Sequence, residues 1–177
     1  MDAAEVRALV GRWVEAWNSR DPDRVLELCT DDVTFHDPAV EEELKGTEAV
    51  RDFLEQTFRG FPDLRFTVDE GPFVHADQPK AAQTWRMTGT MLGRIDPPGV
   101  EPTGARVDVL GIDLYEFRGE RVARYRTLYD FTEMGRQLGL VPARGSRFER
   151  AGLRLQNLGA KRARRRNARM DGRRPAV

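Results

Sequence analysis

Hydrophobic positions early in the chain repeat with helical spacing. Val6, Leu9, Val10, Trp13, Val14 and Trp17 fall at i, i+3, i+4, i+7, i+8 and i+11, one apolar stripe that predicts an amphipathic first helix. "NSRDP" interrupts it, with Asp21 placed as N-cap and Pro22 in the first turn of a short second helix whose buried side is Val25, Leu26, Leu28 and Cys29. The period then changes to two. In "TDDVTFHDPAV" Val33 and Phe35 alternate with polar residues, and Asp37 is next on the same face before Pro38 ends the strand. In "KGTEAVRDFLEQTFRG" Thr47 is expected to cap a helix that buries Val50, Phe53, Leu54 and Phe58 and stops at Gly60.

From Leu64 onward the alternation dominates. Leu64, Phe66 and Val68 predict a strand, "EGP" a turn or bulge before Phe73 and Val74, and "DQP" a hairpin break into a long strand over residues 81–92. "GRIDPPGVEPTG" reads as a loop, either a plain hairpin connection or a lid. Strands over 106–117 and 121–129 follow, joined by "RGE", and a short helix over 131–138 closes at Gly139, with Asp130 as its cap. Helices first and antiparallel strands after them give an α+β class, a curved antiparallel sheet wrapped around N-terminal helices. Ser146 and Glu149 form a capping-box pattern, and Phe148, Ala151, Leu155 and Leu158 step at heptad-like spacing beside Arg147, Arg150, Arg154 and Lys161. The division expected is a domain over 1–140 and a basic tail over 141–177, helical at first and fraying from Arg162.

Charge sharpens that division. The chain balances 29 basic against 29 acidic residues. Residues 144–177 hold 12 Arg or Lys against Glu149 and Asp171, a net +10, and residues 1–143 hold 17 basic and 27 acidic, a net −10. The tail is expected to contact an acidic surface (its own body or a second subunit), to be a disordered solubilising end, or to bind nucleic acid or an anionic membrane. The last is least favoured, because no aromatics beyond Phe148 interleave the arginines. The lone Cys29 excludes a disulfide framework. With two distant histidines, His36 and His75, no metal site is expected. No signal peptide or apolar membrane-spanning run is read, so a cytoplasmic protein is expected.

The amphipathic first helix, the strand ending "DP" and the long hairpin ending "YDFTEMGRQLG" together resemble the SnoaL-like polyketide cyclases. These lie within the nuclear transport factor 2-like superfamily, which includes ketosteroid isomerase and limonene-epoxide hydrolase. "DPDRVLELCTDDVTFHDP", "TWRMTGTMLG", "PTGARVDVLGIDLYEF" and "ARYRTLYDFTEMGRQLG" carry the likeness, over about residues 5–140. The resemblance implies a cone: helices closing over the sheet, with a deep pocket between. It also aligns Asp37 with the general base of ketosteroid isomerase, and Asp113 with a second aspartate that donates to a developing oxyanion. Trp13 stands where that enzyme has a tyrosine, and Thr127 where the cyclases place an acid/base aspartate. Epoxide hydration would need Arg106 and Asp108 to face the cavity.

The candidate catalytic residues are therefore Asp37 and Asp113, with Trp13, Trp17, Trp85, Tyr125, Thr127 and Tyr129 as substrate-binding candidates. Asp37 could equally make an Asx turn, Asp113 a structural hydrogen bond, and the aromatics plain core. The function expected is proton abstraction α to a carbonyl, an isomerase- or lyase-type reaction with no cofactor. It would isomerise or cyclise a hydrophobic polyketide- or steroid-like ring compound. A non-catalytic binding module of the same fold is the alternative, favoured if the pocket is filled by its own side chains. A homodimer is expected.

Overall fold

The computed structural model describes residues 2–96 and 99–171, with side chains of the last helix described as far as Arg164. Helix α1, Ala3–Ser19, starts at Asp2, whose side chain accepts from the amides of Ala4 and Glu5 while Glu5 answers in a capping box. Its predicted stripe faces inward, with Val6, Leu9, Val10, Trp13 and Trp17 buried. Helix α2, Pro22–Leu26, is capped by Asp21 as the sequence predicts. Strand β1, Cys29–His36, runs to the short β2, Leu44–Lys45, which no sequence pattern announced. Helix α3, Gly46–Gly60, begins one residue before Thr47 and has no side-chain cap. This corrects the expected role of Thr47: the chain enters the helix directly from the β2 pairing, and Thr47 is already inside the first turn.

Strands β3, Arg65–Val74, β4, Lys80–Thr90, β5, Arg106–Arg118, and β6, Arg121–Tyr129, follow, and helix α4, Phe131–Gln137, is capped by Asp130. The six strands lie in the order β2-β1-β6-β5-β4-β3. The long strands pair antiparallel, but β1 joins β6 in parallel, so the sheet is mixed where an antiparallel one was expected. Register shifts in the β1/β6, β3/β4 and β5/β6 pairs mark bulges, which bend strands and curve the sheet. The "EGP" segment is such an irregularity inside β3.

The curved sheet buries its inner face against α1 and α3. Ala81, Gln83, Trp85 and Met87 of β4 point in, as do Val107, Val109, Asp113, Tyr115 and Phe117 of β5 and Val122, Tyr125 and Thr127 of β6. Strand β3 is an edge, and α1 secures it through Asn18. The Asn18 amide donates to the Phe66 carbonyl at 2.9 Å and accepts from the Phe66 N–H at 2.8 Å, as a neighbouring strand would. Asn18→Ala removes both bonds, and a loss of about 1–2 kcal/mol is expected. Urea unfolding would check it, with hydrogen exchange rising first along β3.

Beyond α4, helix α5, Arg147–Asp171, begins with the Glu149 amide donating to Ser146 Oγ at 3.1 Å. It continues to Asp171 through the segment expected to fray; residues 172–177 lie outside the described residues. Phe148, Leu153, Leu155 and Leu158 are all exposed. No helix among the described residues is long and apolar enough to cross a membrane.

Candidate active site

The inner faces of β4, β5 and β6 meet α1 around one carboxylate. Asp113 is 4 % exposed and accepts three hydrogen bonds: from Trp85 Nε1 at 2.6 Å and Tyr125 Oη at 2.8 Å, both on Oδ1, and from Tyr115 Oη at 2.8 Å on Oδ2. All three partners come from period two. Tyr115 is two residues along β5, Trp85 lies on β4 one rung from the residue facing Asp113, and Tyr125 faces Tyr115 across β6. A carboxylate offers about four lone-pair sites, and these donors take two on Oδ1 and one on Oδ2.

Aromatic rings exclude water from this centre. Trp13 lies 5.0 Å from Tyr125 and 6.0 Å from Tyr115 between ring centroids, and Phe66 stands edge-on to Trp85 at 5.2 Å. Desolvation therefore pushes the Asp113 carboxyl up from 3.8 to about 6, against the opposing pull of its hydrogen-bond donors. The same burial, with the charge of Asp113, drives the Tyr115 and Tyr125 phenols well above their ordinary value. They remain protonated donors. Thr127 faces Asp113 across the β5/β6 ladder and its closeness lowers the carboxyl, yet its buried hydroxyl meets hydrogen-bond geometry with no group among the described residues.

Asp37 occupies the same inner face two strands away. Phe35 pairs with Tyr125, so continuing that register sets Asp37 beside Thr127, with Asp113 on the other side. Asp37 is 7 % exposed, and its Oδ1 accepts from the Ala39 amide at 2.7 Å and Tyr129 Oη at 2.9 Å. The first bond is the Asx turn that the sequence offered as a plain alternative. Burial raises the Asp37 carboxyl, and the Ala39 amide, Tyr129 and His36 oppose it.

A small cleft opens on this centre, lined by Trp13, Trp17, Phe66, Gln83, Asp113 and Tyr125 among others. Its volume is about 10 Å³, room for about one water molecule. Of the sequence-predicted residues, the cleft collects Asp113, Trp13, Trp17, Trp85 and Tyr125, while Asp37, Thr127 and Tyr129 stand outside its wall. The indole N–H groups of Trp13 and Trp17 are buried without an acceptor among the described residues. Arg106 and Asp108 sit on the outward positions of β5, and Asp108 pairs with Arg86. They do not face the cleft, as epoxide hydration would require. Among the described residues no cluster of His, Cys, Asp or Glu could hold a metal ion.

Two residues of the site escaped the sequence reading, Gln83 and Tyr115. Gln83 is 1 % exposed and donates from Nε2 to Tyr115 Oη at 2.7 Å. The signal was present: counting inward from Trp85 gives Gln83 at i−2, a polar residue on an apolar face.

Comparison with known proteins identifies the fold and the family. The structure resembles that of TsrD from Streptomyces laurentii, with a TM-score of 0.65 and 26% identity over 80% of this chain and 99% of that one. AclR from Streptomyces galilaeus shares the fold at a TM-score of 0.68 and 23% identity, covering 92% of this chain and 98% of its own. So does a protein of ketosteroid isomerase-like fold from Catenulispora acidiphila DSM 44928, at 0.63 and 20% identity, over 78% of this chain and 96% of that one. The model of the SnoaL-like polyketide cyclases matches residues 7–138, from within α1 to the end of α4, and the chain belongs to that family.

Proposed function

We propose that this chain is a cofactor-independent acid–base enzyme that removes a proton α to a carbonyl of a hydrophobic polyketide- or steroid-like ring compound. The observation that carries the reading is Asp113: a buried carboxylate on the cleft, raised to about 6. A group titrating near neutrality both accepts and returns a proton efficiently. The geometry favours exchanging the roles that the resemblance implied. Asp113, whose three partners are all donors, acts as the base, and Asp37 stands behind Tyr129 as a second buried carboxylate. The C–H proton passes to Asp113 Oδ2, and the electron pair moves into the carbonyl as an enolate. The unpaired indole N–H groups of Trp13 or Trp17 suit the enolate oxygen. Reprotonation at another carbon gives isomerisation; attack of the enolate carbon on a second carbonyl gives an aldol ring closure.

The small cleft favours a second reading, a non-catalytic binding module. One experiment separates the two. Enolisable ring ketones and aromatic 1,3-dicarbonyls are incubated with the protein in D₂O, and deuterium uptake is followed by NMR. Protein-dependent uptake that disappears in Asp113→Asn is expected. Uptake that persists in that variant removes Asp113 as the base. No uptake from any compound, with saturable quenching of tryptophan fluorescence, supports binding without catalysis.

A further inference from the structure

Gln83 faces Asp113 across the β4/β5 ladder, and its amide is linked to the carboxylate by hydrogen bonds through Tyr115. Gln83 Nε2 donates to Tyr115 Oη at 2.7 Å, and Tyr115 Oη donates to Asp113 Oδ2 at 2.8 Å. The three groups are buried, and among the described residues Tyr115 is the one that meets hydrogen-bond geometry on Oδ2. We propose that Gln83 is a positioning residue: by occupying a lone pair of the Tyr115 hydroxyl it forces the phenol proton onto Asp113 Oδ2, and so fixes where the remaining lone pair of that oxygen points.

The orientation of the amide has a physical reason and a visible cost. Turned the other way, Gln83 would accept the phenol proton through Oε1, and Asp113 Oδ2 would lose its donor. A charged acceptor makes the stronger hydrogen bond, so the carboxylate takes the phenol proton and the amide must present N–H. Oε1 is then left buried with no partner. An unpaired buried acceptor is uncommon, and here it marks the side on which the stronger bond lies. In Gln83→Glu the carboxylate would compete with Asp113 for the phenol proton and place a like charge beside it. In Gln83→Met the volume is kept, but the phenol is free to turn away.

The role rests on reading Asp113 as the acid–base group, but its test needs no substrate. The Asp113 carboxyl is titrated by ¹³C NMR in wild type, Gln83→Met, Gln83→Glu, Tyr115→Phe and the Gln83→Met/Tyr115→Phe double variant, with folding checked by circular dichroism. A less well-held carboxylate binds its proton more tightly. The proton dissociation constant of Asp113 is expected to fall roughly three- to tenfold in Gln83→Met and further in Gln83→Glu. In the Tyr115→Phe background Gln83→Met should add nothing, because the relay is already cut. An unchanged Asp113 titration in folded Gln83→Met overturns the inference, as does the same shift with and without Tyr115. If Gln83→Met does not fold, Gln83→Leu, which is uncharged and cannot donate to the phenol, is titrated with and without Tyr115 and decides in the same way. Deuterium uptake that survives Asp113→Asn would sink the proposed reaction and leave this relay standing.

Discussion

Gly111→Ala is expected to lose about 2–3 kcal/mol of stability, because a methyl group there has nowhere to go. Gly111 faces Trp85 across the β4/β5 ladder, and the indole lies flat over it. A Cβ built on Gly111 overlaps Trp85 Cζ2 and Cη2 and comes within 2.8 Å of Cε2. The obstacle is a rigid ring in the core and cannot bend aside as the end of a flexible chain would. The indole must swing, yet Phe66 stands against it at 5.2 Å and Tyr129 at 6.0 Å. Its Nε1 also holds Asp113 at 2.6 Å. Two effects follow from one methyl group: overpacking destabilises the fold, and the loss of a donor raises the Asp113 carboxyl further above 6. Urea unfolding and carboxyl NMR would check the pair. A variant as stable as wild type, with Asp113 titrating unchanged, would mean that Trp85 is not held by Gly111.

That contact also shows what the sequence can and cannot tell. Periodicity alone placed α1, β1, α3 and strands β4, β5 and β6, because each buries one face and the apolar residues must repeat with the geometry of the element. The same alternation aimed Asp37 inward, the family resemblance singled out Asp113, and both are buried. The structure settles the facing of Arg106 and Asp108, which fall on even positions of β5 and point away from Asp113. Gln83 and Tyr115 were within reach of the alternation, each two residues from a residue already singled out. The rest depends on register between distant segments. That Tyr129 holds Asp37 across 92 residues follows from β1 lying parallel to β6, and no local pattern encodes that pairing. The short β2 has two residues and no period to detect. Gly111 was silent for a related reason: a glycine in a strand reports a close approach only when the approaching group is known.

The aromatic packing that desolvates Asp113 has a measurable consequence for the whole fold. The proton on this carboxyl is held more tightly in the folded chain, near 6, than at the ordinary 3.8 expected on unfolding. Between those values the native state binds more protons than the unfolded state, so stability falls as pH rises. The full contribution is present below 3.8 and is lost as pH passes 6, and a difference of about two units amounts to about 3 kcal/mol. Asp113→Asn cannot ionise. Its side-chain oxygen still accepts from Trp85 and Tyr125, and the amide N–H₂ donates to Tyr115, whose own proton goes to Gln83 Oε1 once that amide flips. At pH 4.5 the variant and wild type should lie close together. By pH 7.5 the variant should have gained about 2 kcal/mol on wild type, the part of the full span that falls within this range. Asp37 is raised in the same direction, and its contribution cancels in the comparison because both proteins carry it. Urea midpoints at a series of pH values measure the difference. A constant gap across the range would mean that Asp113 does not ionise in a desolvated site, and the acid–base reading would lose its base. A gap that opens toward pH 7.5 would mean that the chain sacrifices stability at neutral pH to hold a carboxylate among aromatic rings, a sacrifice expected where the carboxylate has chemistry to do.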